Sequence, residues 1–113
     1  MKIYTKLPPT LRTLCWNHDA FIVGGAVNFL IGKTSIEPRD YDAVVPLEEW
    51  RKAKMLLINK DVKVNSFGGL KLTENETTID IWPDDVALVV VNYKINCDIL
   101  HPKSGKLLIC QQI

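Results

Sequence analysis

Asp40 and Asp42 flank a tyrosine at the mouth of an apolar segment, and Asp80 interrupts the alternation Thr78-Ile79-Asp80-Ile81-Trp82. In an extended strand, residues two apart point to one side, so Asp40 and Asp42 face a common site if their segment is a strand. Two carboxylates held that close repel, and a bound cation or a raised pKa is the usual way such a pair is tolerated. Magnesium, or manganese in its place, suits carboxylate oxygen and bridges readily to substrate phosphates. An Asp-x-Asp alone is a common spacing with a high false-positive rate. Asp80 adds weight, because its apolar neighbours belong on the opposite face and leave a lone carboxylate wanting a partner. If its strand lies beside that of Asp40 and Asp42, three carboxylates meet, a set suited to two cations in phosphoryl or nucleotidyl transfer.

Gly24-Gly25 stands between an apolar run and a short helical pattern. Glycines there let the backbone approach a ligand closely, and a helix N-terminus offers N–H groups to phosphate. No Gly-x-x-x-x-Gly-Lys-[Ser/Thr] and no Gly-x-Gly-x-x-Gly occurs, so neither a P-loop nor a dinucleotide fold is indicated. Lys33 and Arg39, in the segment leading to Asp40, are cations that could neutralise a triphosphate. His18 and His101 fall in loops without a nucleophile context, which gives no support to Ser-His-Asp or Cys-His chemistry.

These residues need elements to hold them. Pro8-Pro9 suits the first turn of a helix running to about Asn17, with Leu11, Leu14 and Cys15 at helical spacing. A buried strand over Ala20 to Val23 leads into the glycines and a short helix, Ala26 to Ile31, that stops near Gly32. A loop delivers the chain to a strand over Asp40 to Val45. Pro46 opens a helix with an apolar face of Trp50, Ala53 and Leu57, ending around Asn59-Lys60. Strands are predicted over Val62 to Ser66, Leu70 to Thr73 and Thr77 to Trp82, then a helix from Pro83 through Val86 to Val91. A hairpin, Ile95 to Leu100 with Lys106 to Ile109, closes the chain. Trp16, Trp50 and Phe29 are read as core residues.

With 113 residues the chain is one domain holding a single site. Its 14 basic and 13 acidic residues leave a net charge of +1, so no broad basic surface for nucleic acid is evident and any such binding must come from a local patch or a partner. Cys15, Cys97 and Cys110 are odd in number and without zinc-like spacing, as expected of reduced core thiols. No signal-like segment stands at the start, and the longest apolar run, Val86 to Val91, is far short of the ~20 residues that span a bilayer. A cytoplasmic protein with no membrane partner is expected.

The order strand, Gly-Gly, helix, Asp-x-Asp and a later strand with one Asp resembles the DNA polymerase beta-like nucleotidyltransferase superfamily. The head domain of CCA-adding enzymes and bacterial poly(A) polymerases is the most similar branch. Residues 21–32 are similar to that family's Gly-Gly-x-x-Arg-Asp-x-Leu-Leu-Gly segment, 39–45 to its metal-binding strand, and 67–72 with 79–81 to the strands bearing the third carboxylate. Residues 93–107 are similar to its Phe-Thr-Ile-Asn-Ala segment and the following hairpin. The resemblance implies an α+β fold, a mixed, mostly antiparallel sheet flanked by helices, of the polymerase beta-like palm type. It implies Asp40, Asp42 and Asp80 as catalytic metal ligands for magnesium or manganese. Gly24, Gly25, Asn28, Lys33, Arg39 and Asn96 fall at nucleotide-binding positions for ATP or another nucleoside triphosphate. The acceptor would be an RNA, protein or small-molecule hydroxyl, with a partner protein able to supply the acceptor site. Asn28-Phe29 replaces the family's Arg-Asp, and Val90-Val91-Asn92 its Arg-Arg-Asp. The neck and body domains have no counterpart in these 113 residues, so CCA addition itself is not implied. A nucleotide-binding or protein-interaction module that has lost catalysis is the alternative.

Overall fold

The computed structural model describes residues 6–65, 68–84, 98–104 and 106–109. Helix α1, Pro9–Asn17, begins with proline at N1, where the missing N–H costs no helical bond. No N-cap side chain serves it. Instead Glu74, from a distant strand, accepts hydrogen bonds from the Thr10 amide (2.9 Å) and hydroxyl, placing an anion at the positive end of the helix. Strand β1, Phe21–Val23, passes through Gly24-Gly25 into α2, Ala26–Leu30. After an irregular loop come β2, Asp40–Val45, and α3, Leu47–Leu56, whose first amide donates to Asp84 (3.0 Å).

Strands β3, Lys63–Val64, β4, Leu70–Glu74, and β5, Thr77–Pro83, follow. β4 and β5 form a hairpin in which Glu74 pairs with Thr77, leaving Asn75 and Glu76 as its loop. Both have positive φ, 51° and 66°, as a two-residue type I′ turn requires. Strands β6, Asp98–His101, and β7, Lys106–Ile109, form the closing hairpin. The seven strands make one sheet in the order β3-β4-β5-β2-β1-β6-β7. Every pair is antiparallel except β2 with β5. That pair is parallel because the chain returns through α3, β3 and β4 before β5 is laid down.

One face of the sheet carries the core. Ile22, Tyr41, Ala43, Val45, Leu72, Ile79, Ile81 and Leu100 pack with Leu11, Leu14 and Cys15 of α1, Val27 and Leu30 of α2, and Ala53 of α3. Strand alternation therefore turns Asp40, Asp42, Thr78 and Asp80 to the other face. Val23, opposite Asp42, and Val44 and Trp82, further along, share that face and are buried.

Within the described residues the predicted helices and strands are found with shifts at their ends. α3 stops at Leu56 and continues as turns, and β3 is two residues long, not five. Trp16, expected in the core, is 50% exposed. The inward stripe of α1 is Leu11, Leu14 and Cys15, and residue 16 stands about 100° further round the helix. Its ring lies under the Lys103 ammonium, 5.7 Å from the centroid. Trp50 and Phe29 are half-buried at the rim of the core. The predicted helix over 86–91, Cys97, Cys110 and Asn96 lie outside the described residues. Cys15 is a buried free thiol whose pKa burial pushes up to about 12. Among the described residues no helix is long and apolar enough to cross a membrane.

Candidate active site

Register decides the site. In the parallel pair, Asp40 stands opposite Thr78 and Asp42 opposite Asp80, so the two carboxylate-bearing strands are neighbours and their acids share a face. The antiparallel pairing of β1 sets Val23 against Asp42, which brings the glycine turn alongside. A Cβ built on Gly24 would lie 3.4 Å from Asp42 Oδ2. Gly24 has φ +80°, a conformation L side chains rarely adopt, so glycine is required there for the backbone and not for space. Gly25 differs: it caps α2 in an ordinary conformation, φ −63°, and a Cβ on it would meet nothing within 4 Å. The turn therefore opens outward beside Asp42.

On the other flank, β4 sets Lys71 opposite Asp80, with Nζ 3.9 Å from Oδ1. Asn65, just after β3, donates from Nδ2 to the same oxygen at 3.0 Å. Across the sheet the sequence of groups is thus Lys71, Asp80, Asp42 and Gly24. Like charges directly opposite on neighbouring strands are destabilising, and Lys71 and Asn65 offset this from the Asp80 side. Asn65 and Lys71 are the residues that the sequence motifs did not single out. Lys71 had a signal, since a two-residue turn at Asn75-Glu76 counts back to place it opposite Asp80. Asn65 had none, because its contact depends on how β3 folds over β4 and β5.

Asp40 is exposed, two residues ahead of Asp42 on the same face. Arg39 is exposed too, and its carbonyl accepts from the Thr78 amide at 2.8 Å, fixing the start of the β2–β5 pair. With Glu37, Asn75 and Thr77 it lines an open groove of about 460 Å³. Asn28 and Lys33 are exposed on α2 and just beyond it, joined by a 2.8 Å bond from the Lys33 amide to the Asn28 carbonyl. The structure thus gathers Gly24, Asp42 and Asp80 and sets Asp40 next along the face, while Asn28 and Lys33 are exposed elsewhere on the surface and Arg39 lies in the groove beside the Asn75-Glu76 turn.

The donor chemistry fits a divalent cation at Asp42 and Asp80, with Asp40 within one strand repeat. The side chains do not converge as a set of three: among the described residues no group of three His, Cys, Asp or Glu is placed to hold a metal ion.

This strand order, with an acid-bearing face on the parallel pair and a glycine turn at its edge, is an α+β fold that the chain shares with a solved CCA-adding enzyme. Among solved structures, a CCA-adding enzyme in complex with CTP superposes with a TM-score of 0.56 at 20% identity, covering 95% of this chain and 30% of that one. The chain thus corresponds to under a third of that enzyme's length, and the likeness is one of fold. No family model and no curated protein matches the sequence.

Proposed function

We propose that the protein transfers a nucleoside monophosphate from a nucleoside triphosphate to an acceptor hydroxyl. The observation that carries this reading is the parallel register that sets Asp42 against Asp80 beside the Gly24 turn. The CTP held by the structural neighbour supports a nucleotide ligand. The attacking hydroxyl oxygen forms a bond to the α-phosphorus, its proton passes to Asp80, and the bond from the α-phosphorus to the bridging oxygen breaks to release pyrophosphate. Gly24 and Gly25 receive the β- and γ-phosphates, where the open space at Gly25 admits them without a side chain in the way. The exposed Arg39, Lys33 and Asn28 are assigned to the outer phosphates or the sugar. Asp40, Asp42 and Asp80 would hold magnesium or manganese, which when bound neutralises triphosphate charge and activates the hydroxyl. Most of the rate gain comes from positioning and charge neutralisation.

Isothermal titration of each of the four nucleoside triphosphates with magnesium, into wild type and Asp42→Ala, tests this. Binding by wild type and at least tenfold weaker binding by the variant is expected; a wild type indifferent to all four sinks the proposal. The second reading is a binding module without catalysis. It is favoured by the side chains that do not converge and by Asn28-Phe29 in place of Arg-Asp. Incubation with labelled triphosphates and mixed RNA or cell lysate separates the two. Label incorporation that is lost in Asp80→Asn supports transfer, and it also reveals whether RNA, protein or a partner-held group is the acceptor.

A further inference from the structure

We propose that Asn65 is the positioning residue for Asp80, an amide clamp that holds one carboxylate oxygen so that the other is presented to a divalent cation. The inference rests on the nucleotidyl-transfer reading of Asp80. Three constraints aim the Asn65 side chain. Its backbone amide donates to the Gly69 carbonyl at 3.0 Å, closing the loop between β3 and β4. Its Nδ2 donates both to the Leu70 carbonyl (3.1 Å) and to Asp80 Oδ1 (3.0 Å), tying the tip to β4 and β5. Gly69 gives it room: a Cβ there would come within 2.5 Å of Asn65 Oδ1 and 2.3 Å of the Ile81 carbonyl.

The orientation of the amide is decided by chemistry. Both groups facing Nδ2 are acceptors, so the flipped amide would set its carbonyl oxygen against a carbonyl and a carboxylate. The arrangement leaves Asn65 Oδ1 buried and without a partner among the described residues. A buried acceptor left unpaired is unfavourable, and it persists here because the opposite end of the amide is committed to Asp80. Lys71 approaches the same oxygen, Oδ1, which leaves Oδ2 outside both contacts. A carboxylate that ligates a metal is ordinarily hydrogen-bonded in this way, and loss of such a partner typically weakens the metal by about 10–100-fold.

The test is Mn2+ binding by the full chain, followed through the electron paramagnetic resonance signal of the free ion, in wild type, Asn65→Ala, Asp80→Ala and the double variant. Asn65→Ala is expected to bind Mn2+ about 10–100-fold more weakly. The double variant is expected to bind no more weakly than Asp80→Ala, since a residue acting through Asp80 has nothing left to position. Wild-type affinity in Asn65→Ala, or losses that simply add, overturns the clamp. A wild type that ignores Mn2+ overturns the metal-dependent reading on which it rests as well. Should Asn65→Ala fail to fold, proton–nitrogen NMR of Asp80→Asn decides the question. The Asn65 side-chain amide resonances must move from their wild-type positions, and unmoved resonances refute the contact.

Discussion

Gly24 and Gly25 are adjacent, yet their physics differs, and this separates fold from function at single residues. Gly24 adopts φ +80°, so Gly24→Ala should cost about 1–2 kcal/mol in urea unfolding from backbone strain. Gly25 has helical dihedrals and open space, so Gly25→Ala should leave stability unchanged or raise it by up to about 1 kcal/mol. If the turn receives phosphates, the same Gly25→Ala should bind triphosphate more weakly although the fold is no less stable. Unchanged affinity in calorimetry would leave the glycine pair a turn and nothing more. The acids show a similar division. That Asp40 and Asp42 share a face follows from strand alternation alone, and so does the orientation of Asp80 away from Ile79 and Ile81.

The hairpin of β4 and β5 carries Asp80 into place, and its turn is not built from ideal residues. A type I′ loop favours Asn-Gly, and here the second position is Glu76 with φ 66°. Glu76→Gly should therefore stabilise the protein by about 1 kcal/mol, by removing a side chain from the left-handed region. The denaturation midpoint is the measurement, and a lower midpoint would contradict the turn assignment. The hairpin was legible because polar residues 74–76 separate two runs of period two. The ends of α3 and β3 were not, since Leu57 and Val62 continue the apolar pattern after the backbone has left helix and before it enters strand.

The three helices are held to the sheet, and to each other, by contacts between residues remote in sequence. His18 at the end of α1 meets Glu49 of α3 at 3.1 Å, and Lys52 meets the same carboxylate at 3.3 Å. The His18 hydrogen bond first, then that of Lys52, holds the Glu49 carboxyl below its ordinary value of 4.5. A carboxyl lowered on folding contributes stability that is full above that value and is lost as pH falls through the folded one. Wild type should therefore be more stable than Glu49→Gln at pH 6, with the gap closing as the pH drops below about 4.5. Urea midpoints across pH 3–6 read this, and a constant gap would refute the linkage.

The sequence by itself determined where helices and strands lie among the described residues, though not their ends, which side of each strand is apolar, and which residue types are able to bind a cation or a phosphate. These are local properties, written in periods of 3.6 and 2 and in the turn chemistry of glycine, proline and asparagine. Only the tertiary structure decided that β5 lies parallel to β2, in the register that sets Asp80 against Asp42 and not one residue to either side. That choice belongs to the core, where Ile79 and Ile81 must pack with Tyr41 and Ala43 beneath the helices, and a one-residue slip would turn Asp80 inward. The meeting of Asn65 with Asp80, across 15 residues and a glycine without which the strands would collide, was likewise settled by packing in three dimensions.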